Sequence, residues 1–151
     1  MRIVIQRVAK AQLSVEGDMA AFMGQGLVVL VGFAPEDGDK EMDYMLKKIF
    51  NLRVFEDEQG KMNLSVTDID GGVMIVPNFT LYGDAHSGNR PGFSNGAPPS
   101  RARELFEWFM DKARALYPLD KLFFGVFQSH MTVNIVNDGP VTLLLDSNKT
   151  F

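Results

Sequence analysis

The chain has 151 residues, of which 46% are hydrophobic, and this predicts one globular domain over residues 1–151 with a sizeable core. It has no cysteine and only two histidines, so disulfides are excluded and neither a metal site nor a cofactor is predicted. The net charge of −4 argues against a protein that binds a long stretch of nucleic-acid backbone, because each phosphate contact generally needs a Lys or Arg. With no apolar leader and no apolar run of about 18 residues, a cytoplasmic protein without a membrane span is expected.

The first third of the chain has the pattern of several strands followed by a helix. Strands are predicted at 2–8 and 11–16, and a turn after the second leads into a short third segment. Residues 26–33 are continuously apolar, as expected of a central strand that is buried on both faces. Apolar residues at helical spacing then predict an amphipathic helix over 39–51, with an N-cap at 37–39.

The rest of the chain alternates strand patterns with one long loop and a second helix. Strands are predicted at 52–55, 62–66, 73–76, 122–126, 130–136 and 141–145. Residues 83–99 are rich in Gly, Pro, Ser and Asn, and loops of this length are commonly functional or disordered. An apolar stripe over 102–116 predicts a second amphipathic helix that Tyr117-Pro118 ends. The order predicts an α+β fold with mostly antiparallel sheets and two amphipathic helices.

The stretch 136–142 lies between the last two predicted strands and contains the Gly139-Pro140 step. Proline has no N–H to donate to a strand ladder, and Asn-Asp-Gly-Pro is ordinary turn composition. From these residues alone, the stretch is therefore predicted to be a hairpin turn.

The same stretch also carries a family resemblance. Residues 137–142 resemble the NxGPVT signature of the D-aminoacyl-tRNA deacylases, and residues 77–81 stand where that family has an SQFTL-type signature. Further similarity lies in 5–8, 60–64 and 90–94, so five ordered segments span nearly the whole chain. The resemblance implies the fold of that family and hydrolysis of the ester of a D-aminoacyl-tRNA.

The resemblance places the catalytic residues at Asn78, Phe79 and Thr80. Taken by itself, Thr80 at a strand end would be expected to bond a backbone carbonyl, and it lacks a sequence-adjacent base that could activate it as a nucleophile. The backbone N–H groups of this stretch are the better candidates, as donors to the oxyanion formed during ester hydrolysis. Pro77 and Asn78 depart from the Ser and Gln usual in the family, which leaves the range of substrates open.

The resemblance also implies substrate-binding roles for Gly139, Pro140, Arg7, Met131 and Phe93. In the family the Gly-Pro step is cis and enters the partner subunit's site, where its carbonyls exclude the side chain of an L-amino acid. Arg7 matches a residue that holds the Gly-Pro loop, whereas Met131 and Phe93 match positions near the ligand pocket. From the residues alone, the last two would be assigned to core packing.

Other polar clusters have simpler interpretations. Asp84, His86 and Ser87 are too close together in a Gly-rich loop for a hydrolytic triad and are predicted to be solvated. The charged residues of the second helix are predicted to form a solvated face; they include Arg101, Arg103, Glu104, Glu107 and Arg114.

The resulting expectation is a homodimeric hydrolase that acts on the 3′ acceptor end of tRNA carrying a D-amino acid or glycine. Two alternatives stay open: a non-catalytic dimeric module that binds aminoacyl or nucleotide ends, and an ordinary small-ester hydrolase. Neither alternative involves a membrane.

Overall fold

The computed structural model describes residues 1–150 and contains two sheets, two α-helices and two short 3-10 helices. The strands are β1 (Arg2–Val15), β2 (Asp18–Met23), β3 (Gly26–Gly32), β4 (Phe55–Glu56), β5 (Met62–Leu64), β6 (Gly72–Pro77), β7 (Leu122–Phe124) and β8 (Met131–Asp146). The α-helices are α1 (Asp39–Asn51) and α2 (Pro99–Leu116), and the 3-10 helices are Phe79–Tyr82 and Leu119–Lys121.

The main sheet has six strands in the order β2-β1-β3-β6-β7, with β8 paired to the other edge of β1. β1 is antiparallel to β2, β3 and β8, whereas β3, β6 and β7 run parallel to one another. β4 and β5 form a separate antiparallel pair. The prediction of an α+β fold with mostly antiparallel pairing and two amphipathic helices is confirmed.

The helices pack on one face of the main sheet and enclose the larger hydrophobic core. Side chains from α2, among them Phe106 and Phe109, meet inward-facing residues of β1 and β3. A smaller cluster covers the other face, where Val28 and Met74 are fully buried. β3 is therefore buried on both sides, as its continuous apolar run predicts. Within residues 1–150, no helix is long and apolar enough to cross a membrane.

Three predicted strands differ from the structure in the first part of the chain. The predicted strands 2–8 and 11–16 are one strand, β1, because its pairing with β8 continues past a bulge at Ala9. The pairs Val8↔Asn137 and Lys10↔Val136 leave Ala9 without an opposite residue. This bulge reverses which side chains of β1 point to each face of the sheet, but the strand itself continues. The predicted strand 52–55 is reduced to Phe55–Glu56.

The predicted hairpin at 136–142 is also wrong. Residues on both sides of Gly139-Pro140 belong to β8 and pair with the same neighbour, β1. The pairs Val8↔Asn137 and Gln6↔Thr142 leave the four residues 138–141 opposite Arg7 alone. The stretch is therefore a wide bulge within one long strand, since the partner strand is supplied by the distant N-terminus rather than by a hairpin neighbour.

Both helices follow the sequence prediction closely. α1 covers the predicted residues, and its N-cap is Gly38, whose N–H donates to Glu41 Oε2 at 3.1 Å. α2 begins at Pro99 and ends before Tyr117. The Tyr117 hydroxyl donates to the carbonyl oxygens of Val66 and Gly71, at 3.2 and 2.8 Å, which fixes the end of α2 to the segment before β6.

Candidate active site

The predicted catalytic residues lie where β6 leaves the sheet. The Asn78 N–H donates to the Val31 carbonyl at 2.7 Å, and the 3-10 helix Phe79–Tyr82 begins immediately afterwards. Asn78 is the N-cap of this helix: its Oδ1 accepts from the Thr80 N–H at 3.1 Å and from the Thr80 hydroxyl. Asn is a favoured N-cap residue because its short side chain reaches the N–H two residues on. Asn78 therefore organises the turn that presents Thr80.

The backbone at this helix start can stabilise negative charge. The first N–H groups of a helix have no intrahelical acceptor and carry its positive dipole end. Here these groups belong to Phe79 and Thr80, and the Thr80 N–H is held by Asn78. The partner of the Thr80 hydroxyl is an amide oxygen rather than a base, so this geometry does not activate Thr80 as a nucleophile.

An aromatic cavity of about 470 Å³ opens beside this turn. Phe79 and Phe93 form one wall, with their rings edge to face at 5.1 Å between centroids. Phe79 is 62% exposed and Phe93 41%, so both rings are available to a ligand. The predicted site residue Phe93 is thus brought next to Phe79. The remaining wall is lined by Ser94, Gly96, Ala97, Pro98, Pro99, Ala102, Phe127 and Gln128.

Met131 also lies close to the end of β6. Its Sδ accepts from the Val126 N–H at 3.4 Å. A Cβ added to Gly125 would lie 2.9 Å from both Met131 Sδ and Pro77 Cδ, so Met131 and Pro77 both pack against this glycine. The structure therefore places Met131 against the strand end that leads into the 3-10 helix.

The Gly139-Pro140 bulge is exposed but firmly held at its base. Its peptide bond is cis, and Gly139 has a φ of +132°, which L side chains rarely adopt. Asn137 closes the bulge: its Oδ1 accepts from the Val141 N–H at 2.9 Å, and its Nδ2 donates to Thr142 Oγ1 at 3.0 Å. The tip is therefore presented to the outside on a fixed base.

Arg7 supports the same bulge from the body of the protein. It is a buried side chain, with 6% relative exposure. Its Nη1 donates to the Val54 carbonyl at 2.7 Å and its Nε to the Asp138 carbonyl at 3.0 Å. The Asp138 carboxylate lies 3.5 Å from Nε and supplies a charge partner. Arg7 thus joins the bulge to the β4 region.

The structure does not bring the Gly139-Pro140 bulge to Thr80 within one chain. In the sheet, the bulge lies opposite Arg7 of β1. The end of β6 aligns instead with Ile3 of β1, because Pro77 pairs with Val31 and Val31 pairs with Ile3. Four residues of strand correspond to about 13 Å. The two segments also lie on opposite sides of β1 and β3 in the strand order. One chain alone therefore does not combine these two predicted parts of a site.

Asp84, His86 and Ser87, which the sequence predicts to be solvated rather than to form a triad, are all exposed. His86 is 95% exposed and lies 2.6 Å from Asp84 within a local turn. Hydrogen bonds from the His86 N–H and its ring lower the pKa of the Asp84 carboxyl. Within residues 1–150, no group of His, Cys, Asp and Glu is arranged to hold a metal ion.

Sequence reasoning missed Phe127, Gln128 and Arg103. Phe127 and Gln128 line the aromatic cavity, and the guanidinium of Arg103 lies over the Phe127 ring at 5.0 Å. These residues come from the segment after β7 and from α2, so only the tertiary structure brings them together. The left-handed φ of +61° at Gln128 could not be recognised from its sequence context.

Known proteins resemble this chain over nearly its whole length. The family model described as D-Tyr-tRNA(Tyr) deacylase matches residues 4–146. A D-aminoacyl-tRNA deacylase of Kosmotoga olearia is 50% identical over 151 residues, covering 100% of both chains. A D-aminoacyl-tRNA deacylase of Prosthecochloris aestuarii is 51% identical over 147 residues, covering 97% of this chain and 99% of the relative.

Two solved structures share the fold. A c-Myc DNA unwinding element binding protein has a TM-score of 0.91 and 39% identity, covering 97% of this chain and 98% of its own. A probable eukaryotic D-amino acid tRNA deacylase has a TM-score of 0.79 at 16% identity, covering 95% and 97%, which is a likeness of fold alone. The match to the family model and the full-length relatives show that this chain belongs to the D-Tyr-tRNA(Tyr) deacylase family.

Proposed function

We propose that this protein hydrolyses the ester bond of D-aminoacyl-tRNA, releasing the D-amino acid and tRNA as a proofreading step of cytoplasmic translation. Glycyl-tRNA is proposed as a second substrate. The observation that carries the proposal is the juxtaposition of the Phe79–Tyr82 helix start with an aromatic cavity, in a chain of this family.

The aromatic cavity suits the terminal base of the tRNA acceptor end. Its volume of about 470 Å³ accommodates a nucleoside, and the exposed Phe79 and Phe93 rings offer stacking surfaces. Stacking of one base on aromatic side chains is worth about 1–3 kcal/mol. A base in the cavity places the 3′ ribose, with its ester, beside Thr80, since Phe79 is shared by the cavity and the turn.

Hydrolysis at this turn requires no covalent bond between the enzyme and the substrate. Water adds to the ester carbonyl, and the Phe79 N–H stabilises the negative charge that the carbonyl oxygen takes up. The bond from this carbon to the ribose oxygen then breaks, and the ribose oxygen takes up the proton that the attacking water has lost as the amino acid leaves. Thr80 and the neighbouring ribose hydroxyl orient the reacting groups.

We further propose that the enzyme is a homodimer in which the Gly139-Pro140 bulge of each subunit closes the site of its partner. The bulge is exposed and fixed at its base, yet it is remote from Thr80 of its own chain. A wall of backbone atoms would exclude the side chain of an L-amino acid and admit hydrogen, so that selectivity arises by exclusion.

An exposed apolar pair on the sheet supports the proposed dimer. Phe22 and Val136 are 58% and 46% exposed, and the pairs Gln12↔Phe22 and Lys10↔Val136 place them on the same face of the sheet. Large apolar side chains grouped on a sheet face are typical of a surface that another protein covers. Val136 lies two residues before the bulge along β8, so this surface adjoins the bulge.

A deacylation assay with D-Tyr-tRNA, Gly-tRNA and L-Tyr-tRNA tests the proposed reaction. A selective deacylase releases the first two amino acids and spares L-Tyr-tRNA. A non-catalytic binding module would release none, and an unselective release of all three, together with simple esters, would indicate an ordinary esterase.

A subunit-mixing experiment tests the proposed dimeric site. One variant expected to be inactive carries Gly139→Val in the bulge. The other carries Thr80→Trp in the turn Phe79–Tyr82, termed the pocket side of the site. A Cβ at Gly139 would lie 2.7 Å from Val141 Cγ2, so the substitution must displace the bulge. Gly17→Ala is the control, because Gly17 also has positive φ but has no atom within 4 Å of an added Cβ.

If the bulge acts on the partner's site, the mixed dimer contains one site with a normal pocket and a normal bulge. Purified mixed dimers should then regain about half of the wild-type activity, and a randomly exchanged equimolar mixture about a quarter. If pocket and bulge of the same chain work together, both sites of the mixed dimer are defective and mixing restores nothing.

A further inference from the structure

The guanidinium of Arg103 is oriented by contacts with two residues that line the aromatic cavity. It stacks over the Phe127 ring at 5.0 Å from the centroid, and its Nη2 donates to Gln128 Oε1 at 2.7 Å. Both partners line the cavity. The side chain is thus held against the residues that form one wall of the cavity, rather than spread over the solvated face of α2 that the sequence suggests.

The charge of Arg103 is not neutralised by a carboxylate. Arg2, Arg7, Arg101 and Arg114 each have an Asp or Glu within 4.0 Å. Within residues 1–150, Arg103 has an amide oxygen as its hydrogen-bond partner and is absent from the ion pairs. An amide orients a guanidinium without cancelling its charge, and guanidinium carries five N–H donors. Arg103 therefore retains donors and a full positive charge for a ligand.

The backbone at Gln128 indicates why this residue type is present. Its φ of +61° lies in the left-handed region, where glycine is the usual residue and other side chains are strained. Strained positions that persist often serve a site. Here the glutamine supplies the oxygen that holds Arg103, which a glycine could not do.

We propose that Arg103 binds the phosphodiester that links the terminal nucleotide of tRNA to the preceding one, with Gln128 as its positioning residue. This inference rests on the proposed function, which places the terminal base in the cavity. A base stacked there leaves its 5′ phosphate outside the cavity, and Arg103 is the cation held against the Phe127 and Gln128 wall. Guanidinium matches phosphate in geometry and can donate two parallel hydrogen bonds to it.

The first test compares adenosine with adenosine 5′-monophosphate as ligands, by calorimetric titration, and requires no catalysis. The wild type should bind the monophosphate about tenfold more tightly, which corresponds to roughly one charge-assisted contact. Arg103→Gln should remove this preference without weakening adenosine, and Arg103→Lys should retain part of it. Arg114→Gln is the matched control: Arg114 also lies on α2, over the Phe124 ring at 4.9 Å, but Phe124 does not line the cavity.

The second test uses turnover of D-Tyr-tRNA and of D-tyrosyl-adenosine, an ester without the phosphate. Arg103→Gln should raise KM for the tRNA about tenfold at unchanged kcat, because the contact is made equally before and during the reaction. The nucleoside ester should be unaffected. The slope of log affinity for tRNA against log salt should become shallower by about 1.

Two results would overturn the phosphate contact. One is a wild type that binds adenosine and its monophosphate equally; the other is Arg103→Gln weakening both ligands alike, which would mean that Arg103 only shapes the cavity. Absence of deacylation with an intact monophosphate preference would instead refute the proposed function and leave the phosphate site standing.

Discussion

Replacing Arg7 with methionine should destabilise the fold and release the 138–141 bulge. The Nη1 of Arg7 donates to the buried Val54 carbonyl at 2.7 Å, and leaving such a carbonyl unsatisfied costs about 1–3 kcal/mol. Asp138 is exposed, so water can replace its contacts, and that pair adds at most about 1 kcal/mol. Methionine keeps the apolar stem and limits any cavity. We expect a loss of about 3 kcal/mol.

The free energy of unfolding is measured by urea titration at one fixed protein concentration, because dissociation of a dimer would contribute to it. For a domain of this size, the expected loss lowers Tm by roughly 6–12 °C. Arg53→Met is the control: Arg53 donates at 3.0 Å to the exposed side chain of Asn63, and its loss should cost under about 0.5 kcal/mol. In parallel, the rates on D-Tyr-tRNA and L-Tyr-tRNA report whether the bulge still excludes the L-substrate.

The reasoning makes two separable claims about Arg7. A variant within about 0.5 kcal/mol of the wild type would refute the buried hydrogen bond to Val54 as a stabilising contact. A variant that loses stability but keeps the D-to-L selectivity would refute the role of Arg7 in holding the bulge.

Three further predictions concern the turn, the cavity and the core. Thr80→Ala should lower kcat only about 2- to 13-fold, since one hydrogen bond is worth about 0.5–1.5 kcal/mol; a trapped acyl group on Thr80 would contradict this. Gln128→Gly should leave the free energy of unfolding unchanged or raise it by up to about 1 kcal/mol in urea titration, because glycine relieves the left-handed backbone; a clear loss would contradict that. Burial raises the pKa of Tyr117 to about 12. Its contribution to stability should thus be complete below about pH 10 and be lost as pH rises towards 12, which a phenolate absorbance titration of wild type and Tyr117→Phe measures; ionisation of the native phenol near pH 10 would refute it.

The elements that the sequence predicts well are those fixed by local pattern. α1 is found over its predicted residues because amphipathic spacing and the preceding turn are both local. The run 26–33 predicts a strand buried on both faces, and β3 has Leu27 and Val28 directed into different cores. Such features depend on side chains close together in the sequence.

The hairpin prediction fails because strand partners are chosen by the whole fold. Asn-Asp-Gly-Pro has the same turn composition whether the flanking strands pair with each other or with a third strand. Here β1 is long enough to pair with both flanks, and its length is hidden in the sequence by the bulge at Ala9.

The candidate site was only partly predictable for the same reason. The family resemblance leads to residues 78–80 and to Gly139-Pro140, whereas Arg103 looks like any charged residue on an exposed helix face. Its contacts with Phe127 and Gln128 span 24 and 25 residues of sequence and require α2 to lie beside the segment after β7.

The bulge at 138–141 differs from the loop at 83–98 in how it tolerates a change of length. Both of its ends are paired to β1, so one added residue would either widen the bulge and move its tip or slip one flank of β8 by a residue. A one-residue slip turns every side chain of that flank to the opposite face, which would expose Leu143 and Leu145. The loop at 83–98 carries little ladder pairing beyond the single bridge Asp84↔Gly92 and can absorb insertions. Variation in substrate range within this architecture should therefore come from the length of the loop that bears Phe93, and variation at the bulge from residue identity alone.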